Sequence, residues 1–445
     1  MTTYVLERAY VDGGTREDVA VTITDGRFAE VRAGAHPSNA EFVAGLTLPG
    51  FANAHSHAFH RALRGRTQRG SGSFWTWREQ MYAVAARLDP ENYYALALAT
   101  YREMVACGIT SVGEFHYVHH QPDGTPYADP NEMGRVLIRA ARDAGLRITM
   151  LDTCYLSSGF GAPVEGVQVR YSDGSANRWA QRVDALCSSL PGPGSGPVDD
   201  GVVIGAAIHS VRAVPRDQLS LVAQWAGSRP LHVHLSEQVA ENDACQAAHG
   251  LSPTLLLAEE GALGPMTSAV HATHVSAADV AALGETRTFA CFCPTTERDL
   301  GDGIGPSRLL SAAGSRLTLG SDSHATIDLF EEMRGTELDE RLAAQTRGHW
   351  TATELLAAAS YDGHESLGFP DAGRIAVGDR ADLVTLDTLS PRTAGTGSDE
   401  FTAVFAAGAS DVTRVMIDGV VRFERAEAAV VGRELDAAIA RIWRE

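Results

Sequence analysis

Eight apolar runs of strand length, separated by stretches of helical periodicity, leave few folds open to this chain. The runs fall at residues 46–54, 108–116, 146–154, 202–210, 230–235, 268–274, 287–293 and 316–321. Between them, segments such as 90–107, 131–145 and 215–227 repeat apolar residues at three- and four-residue spacing. Gly108 and Gly145 stand where helix C-terminal caps belong. Repeated βα units in this number suit an α/β fold, a TIM (β/α)8 barrel, whose active site lies at the C-terminal ends of the strands. Residues 190–197, rich in Pro and Gly, read as a loop before the fourth run.

The ends of the chain differ from its middle. Residues 4–45 and 373–424 hold short β-rich pieces joined by Asp25-Gly26 and Asp418-Gly419, a strong hairpin signal. Both ends are expected to build one small composite β-sandwich beside the barrel. The expected division is 1–47 and 372–445 for the sandwich and 48–371 for the barrel, with a helix near 435–442 closing the chain. At 445 residues the chain has length for that and little more.

Composition removes several classes of function. A net charge of −19 argues against nucleic-acid or anionic-membrane partners, which need basic patches. No apolar run is long enough to span a bilayer, and the first residues lack the basic start and apolar stretch of a signal peptide, so the cytoplasm is expected. The six cysteines form no disulfide framework; Cys291 and Cys293 read as buried thiols rather than metal thiolates. All 37 basic residues are arginine, so a two-metal site bridged by a carbamylated lysine is chemically impossible.

The first run ends in Asn53-Ala54-His55-Ser56-His57. Strand side chains alternate, so His55 and His57 face one way and can share a borderline metal such as zinc. The fifth run ends in His232-Val233-His234-Leu235-Ser236-Glu237, the sixth in His271-Ala272-Thr273-His274, and the eighth in Ser321-Asp322-Ser323-His324. Any one of these reads equally as a satisfied buried histidine or a strand-end cap. Together, at the catalytic ends of a barrel, they read as a metal centre.

These motifs resemble the amidohydrolase superfamily over nearly the whole chain, through residues 49–57, His234 with Glu237, His271, and Gly320-Ser321-Asp322. The resemblance to the mononuclear deaminase branch implies His55, His57, His234 and Asp322 as ligands of one divalent metal, usually zinc. Of His232 and His234, the latter is nearer the barrel mouth, and Glu237 follows it where the strand gives way to a loop. His271 matches the family's catalytic histidine, with His274 packing or orienting its neighbours. The implied chemistry is hydrolytic deamination of a C=N group: Asp322 and His271 take a proton from the attacking water, and Glu237 delivers one to the departing nitrogen.

Arg78 and Arg212 lie near the inferred mouth, and a guanidinium fork suits a carboxylate, although either alone reads as readily as a surface residue. Tyr117 follows the second run in a cluster too polar for a core, and no segment reads as a nucleobase-stacking arrangement. The segments FWTWRE, EFHYVHH, HSVRAV and HVHLSEQ closely resemble the formimidoylglutamate deiminases of bacterial histidine degradation. That likeness implies a small dicarboxylate substrate, N-formimino-L-glutamate. Arg78 and Arg212 would be its carboxylate partners, with Tyr117 and His209 completing the pocket. His60 departs from the pattern, since glutamine is expected there. Family likeness also suggests a homodimer. The alternatives are deamination of guanine or another heterocycle, which needs no paired arginines, and a metal-free scaffold barrel.

Overall fold

The computed structural model describes residues 1–68, 74–190 and 201–444, without the side chains of 74 and 75. From residue 191 onward, the loop expected over 190–197 lies outside the described residues.

Eight parallel strands form one sheet in sequential order: Phe51–Ser56, Ile109–His116, Arg147–Cys154, Val202–Ile208, Leu231–Leu235, Thr267–His271, Phe289–Phe292 and Leu317–Leu319. The second and third are buried along their whole length. Barrel strands need this, having a packed interior on one side and helices on the other. The sheet closes on itself where the N–H groups of Ser321 and Asp322 donate to the His55 carbonyl at 3.1 and 3.0 Å. Closure at this point brings the first and eighth strand ends together, and with them His55, His57 and Asp322.

The first run does not belong wholly to the barrel. Glu41–Pro49 pairs with Thr2–Val11 and Leu383–Leu386 in the second sheet, and the barrel begins only at Phe51. Gly50 makes the break: a Cβ there would lie 2.5 Å from the Thr110 side chain and 2.8 Å from Asp382 Cβ. Uninterrupted apolar residues on both sides hide this division from any reading of hydropathy.

The second sheet has seven strands drawn from both chain ends, with Glu41–Pro49 and Leu383–Leu386 adjacent at its middle. Leu6, Val21, Phe28, Ile375 and Leu383 are among the residues of its own core. Arg147, buried at the start of the third barrel strand, joins the two units through Asp382 and, at 3.1 Å, Asp418. The closing helix, Ala428–Trp443, is twice the expected length and packs on the barrel helix Pro90–Ala106 through Leu435, Ala438 and Ala99.

Candidate active site

The floor of the barrel mouth is a cluster of nitrogen and oxygen donors. His55 Nε2 lies 3.1 Å from His234 Nε2 and 3.3 Å from Asp322 Oδ1, and His57 Nε2 lies 3.4 Å from the same oxygen. All four donor atoms fall within 4.8 Å of one another. Backbone carbonyls set two of the rings: His57 Nδ1–H donates to Phe115 O and His234 Nδ1–H to His209 O, both at 2.9 Å. With Nδ1 holding the proton, Nε2 presents a lone pair to the cluster, as a metal-binding imidazole must. Burial and the neighbouring histidines hold His57 and His234 well below the usual imidazole pKa, so both are neutral. Three imidazole nitrogens and one carboxylate oxygen, facing each other at repulsive range, make a donor set that fits zinc or a similar divalent ion.

Polar contacts behind the floor hold it in shape. Asn53 Nδ2 donates to Ser321 Oγ at 2.7 Å, and Ser321 N–H returns the bond to Asn53 Oδ1 at 2.8 Å. Glu114 accepts from Ala58 N–H at 2.7 Å and from Ser56 Oγ at 2.9 Å, fixing the turn on either side of His57. His271 and Asp322 leave their strands in left-handed conformations, φ 71° and 38°, a strained backbone typical of sites where side-chain aim matters more than strand geometry. His232, a layer deeper, is fully buried and outside the four-donor cluster.

Two groups above the floor can move protons. His271 Nε2 lies 3.8 Å from Glu237 Oε1 and 3.7 Å from Asp322 Oδ2. Burial opposes charge on His271, yet Glu237, Glu297 and Asp322 outweigh it and raise its pKa well above the usual value. Burial pushes the Glu237 carboxyl up to about 7, with His271 opposing. Behind His271, Glu297 Oε1 lies 3.3 Å from Nδ1 and accepts the Cys293 N–H at 2.9 Å. Cys291 and Cys293 are buried and free; Cys293 approaches His271 and Asp322, but the four-donor cluster does not include it.

One cavity opens above these groups, bordered by His57, His60, Arg78, Tyr117, His209, Arg212, His234, Glu237, His271 and Asp322, with His55 beneath it. Arg212 projects into it while its Nε meets the buried Glu241 Oε1 at 3.3 Å. Arg78 lies with its guanidinium carbon 5.4 Å from the centre of the Tyr82 ring. His60 Nε2 is 3.1 Å from Tyr117 Oη, and burial pushes the His60 pKa down to about 3, so the ring is neutral. His209 is likewise held well below the usual value by burial and then by Arg212 and Arg78.

The same cavity has a wall that patterning did not single out, formed by Trp77, Tyr82, Tyr155 and Tyr171. Two of these left a usable signal. Tyr82 stands four residues after Arg78 on the helix Phe74–Arg87, hence on the same face, and Tyr155 directly follows the third barrel strand. Tyr171 ends a 3-10 turn, Gly166–Tyr171, with no periodic signature. Glu297 and Glu241 were also passed over, since nothing separates them from ordinary helical carboxylates.

A closed barrel with this constellation at its mouth is the architecture of a hydrolase, and the chain belongs to the amidohydrolase family, matched over residues 46–422. Within that family it is a homologue of the formimidoylglutamate deiminase of Pseudomonas aeruginosa, 39% identical over 94% of both chains. Among solved structures, an amidohydrolase from Brucella melitensis superposes with a TM-score of 0.90 at 31% identity, covering all of both chains. An adenosine deaminase from Xanthomonas campestris with bound zinc shares the fold, with a TM-score of 0.85 at 22% identity over 99% and 98% of the two chains.

Proposed function

We propose that this enzyme hydrolyses the amidine of N-formimino-L-glutamate to N-formyl-L-glutamate and ammonia, as a step in histidine degradation. The observation that carries this reading is that Arg78 and Arg212 border the same cavity as the donor cluster and Glu237. A chain of net charge −19 that keeps two guanidinium groups in one pocket is suited to an anionic substrate, here one with two carboxylates.

In this reading His55, His57, His234 and Asp322 hold one divalent ion, zinc, which the Xanthomonas campestris relative also binds. Such an ion supplies Lewis acidity and brings the pKa of an attacking water toward neutrality. Asp322 takes the water proton while its oxygen bonds to the formimino carbon, and His271, whose charged form the neighbouring carboxylates favour, orients that oxygen and stabilises the charge on it. Glu237 hydrogen-bonds the substrate's terminal nitrogen and passes it a proton. The C–N bond then breaks, ammonia departs, and the hydroxyl on the carbon returns its remaining proton to Glu237, leaving the oxygen as a formyl carbonyl. Arg78 and Arg212 hold the carboxylates, with Tyr117, His209 and His60 around the chain between them. The wider reading, a cytoplasmic homodimer with domains dividing near 47 and 371, rests on the family likeness and on the chain's β-rich ends.

A heterocycle-deaminating reading draws on the aromatic wall. Tyr117 and Tyr155, however, meet Tyr171 edge to face, at 77° and 68°, so neither lies parallel to it as the two walls of a nucleobase slot would. Ammonia release from N-formimino-L-glutamate, guanine and cytosine separates the readings. Turnover confined to guanine or cytosine would sink the proposal.

A further inference from the structure

Gln168 sits behind the aromatic wall, buried, with its side-chain nitrogen 3.0 Å from the hydroxyl oxygens of both Tyr82 and Tyr155. Its orientation is determined by the backbone, because the Glu165 N–H, which can only donate, meets Gln168 Oε1 at 3.1 Å. The amide therefore donates one hydrogen to each phenol. A phenol oxygen that accepts in this way must send its own hydrogen elsewhere. Whichever way the two hydroxyls face each other, at least one hydrogen is left for the cavity. Tyr171 lines the same cavity, its hydroxyl oxygen buried and without a hydrogen-bond partner among the described residues.

We propose that Tyr82 and Tyr155, set by Gln168, form a carboxylate-recognising subsite that works beside Arg78 and Arg212 and determines which amidines this enzyme accepts. The proposal rests on the dicarboxylate reading above and deepens it. The division of labour is chemical. A guanidinium supplies charge, but Arg212 already shares its Nε with Glu241. Phenol oxygens that already accept from Gln168 turn their own hydrogens elsewhere, so they favour an acceptor-only group such as a carboxylate over an amide N–H or an ammonium. Burial pushes the Tyr155 pKa up, which keeps that donor protonated throughout the working range.

The test uses Tyr82→Phe, Tyr155→Phe and the double variant, which keep the rings and remove only the hydroxyls. Substrates are N-formimino-L-glutamate, N-formimino-4-aminobutyrate (no α-carboxylate) and N-formimino-L-alanine (no side-chain carboxylate). Hydrogen bonds to a charged group correspond to about 10- to 100-fold. The double variant should lose that much kcat/KM on N-formimino-L-glutamate, through KM, with kcat within a few-fold of wild type. On the analogue missing the recognised carboxylate, variant and wild type should be alike. Gln168→Glu, whose carboxylate would draw both hydroxyl hydrogens to itself, should lose at least as much. Unchanged KM in the double variant, or equal losses on all three substrates, would overturn the subsite while leaving the proposed function standing. A wild-type enzyme inert toward N-formimino-L-glutamate would overturn both.

Discussion

Two of the buried clusters of charge in this molecule are finished differently. Around Asp152, on the third barrel strand, each carboxylate oxygen meets an N–H donor. Trp179 Nε1 and Arg182 Nη2 reach Oδ1 at 2.9 and 2.8 Å, and Arg182 Nη1 reaches Oδ2 at 2.9 Å. Arg182 also binds Asp173, which His120 approaches at 3.1 Å. In the barrel mouth, by contrast, Asp322 and Glu237 face histidine nitrogens at 3.3 to 3.8 Å, and two imidazoles turn lone pairs toward the same point. Both clusters bear the cost of burying charge. The first settles it internally and holds a strand against the helix Ala176–Ser189; the second leaves it for a ligand to settle. Incomplete satisfaction, rather than charge or burial, separates a working site from a structural one.

Removing one charged group from each cluster breaks the comparison most sharply. Glu237→Gln keeps shape and volume but cannot shuttle a proton, so kcat should fall about 10²- to 10⁴-fold. The melting temperature should hold or rise, since a strained carboxylate has been neutralised. A loss confined to KM would mean that Glu237 only binds substrate. Arg182→Met should do the reverse: two buried carboxylates lose their partner, and stability should drop by about 3–5 kcal/mol. Urea unfolding measures the drop, and kcat per folded molecule should stay near wild type. An Arg182 variant that is inactive yet as stable as wild type would show that the two clusters are one.

Glu297 sharpens the contrast because it is the finished member of the unfinished cluster, anchored by Cys293 N–H and set against His271 Nδ1. Acting through His271 alone, it is a positioning residue. Glu297→Gln keeps an acceptor at that nitrogen but removes the charge, so kcat should fall roughly 10-fold with KM unchanged. Its kcat–pH profile should shift, because His271 would lose one of the carboxylates that favour its charged form. Glu297→Ala should lose more. An unshifted profile in both variants would reduce Glu297 to a helix-start contact.

The contrast between the clusters also decides what could be read from the chain alone. His55, His57, His234, Glu237, His271 and Asp322 announce themselves because they end strands that should otherwise be apolar, and the period of two fixes their common direction. The barrel was legible for the same reason. Gly50, which splits the first run between two sheets, was not, because strand hydropathy is blind to which sheet a strand joins. Gln168 and Tyr171 escaped because their place at the mouth depends on how the turn Gly166–Tyr171 folds over it, and such geometry carries no period. Asp152 and Arg182, 30 residues apart, meet only once the helix after the third strand packs on it.

The smallest expected effect follows from the signs of the pKa shifts. Burial opposes ionisation of Asp152 and Asp173, yet Arg182 for the first, and His120 with Arg182 for the second, hold both pKa values below the ordinary 3.8. A carboxylate depressed on folding adds stability that is fully present above its unfolded value and disappears as pH falls through its folded one. The wild type should therefore keep this contribution from neutrality down to about pH 4 and lose it progressively below, where both states bind the protons. Arg182→Met loses the share that the guanidinium supplies and keeps only what His119 and His120 give. The gap in unfolding free energy between wild type and variant, constant above pH 5, should narrow as pH drops below 3.8. Urea unfolding of both proteins at pH 7, 5, 4 and 3 tests this. A gap that stays constant to pH 3 would mean the cluster stabilises the strand by packing, and that its ion pairs contribute nothing.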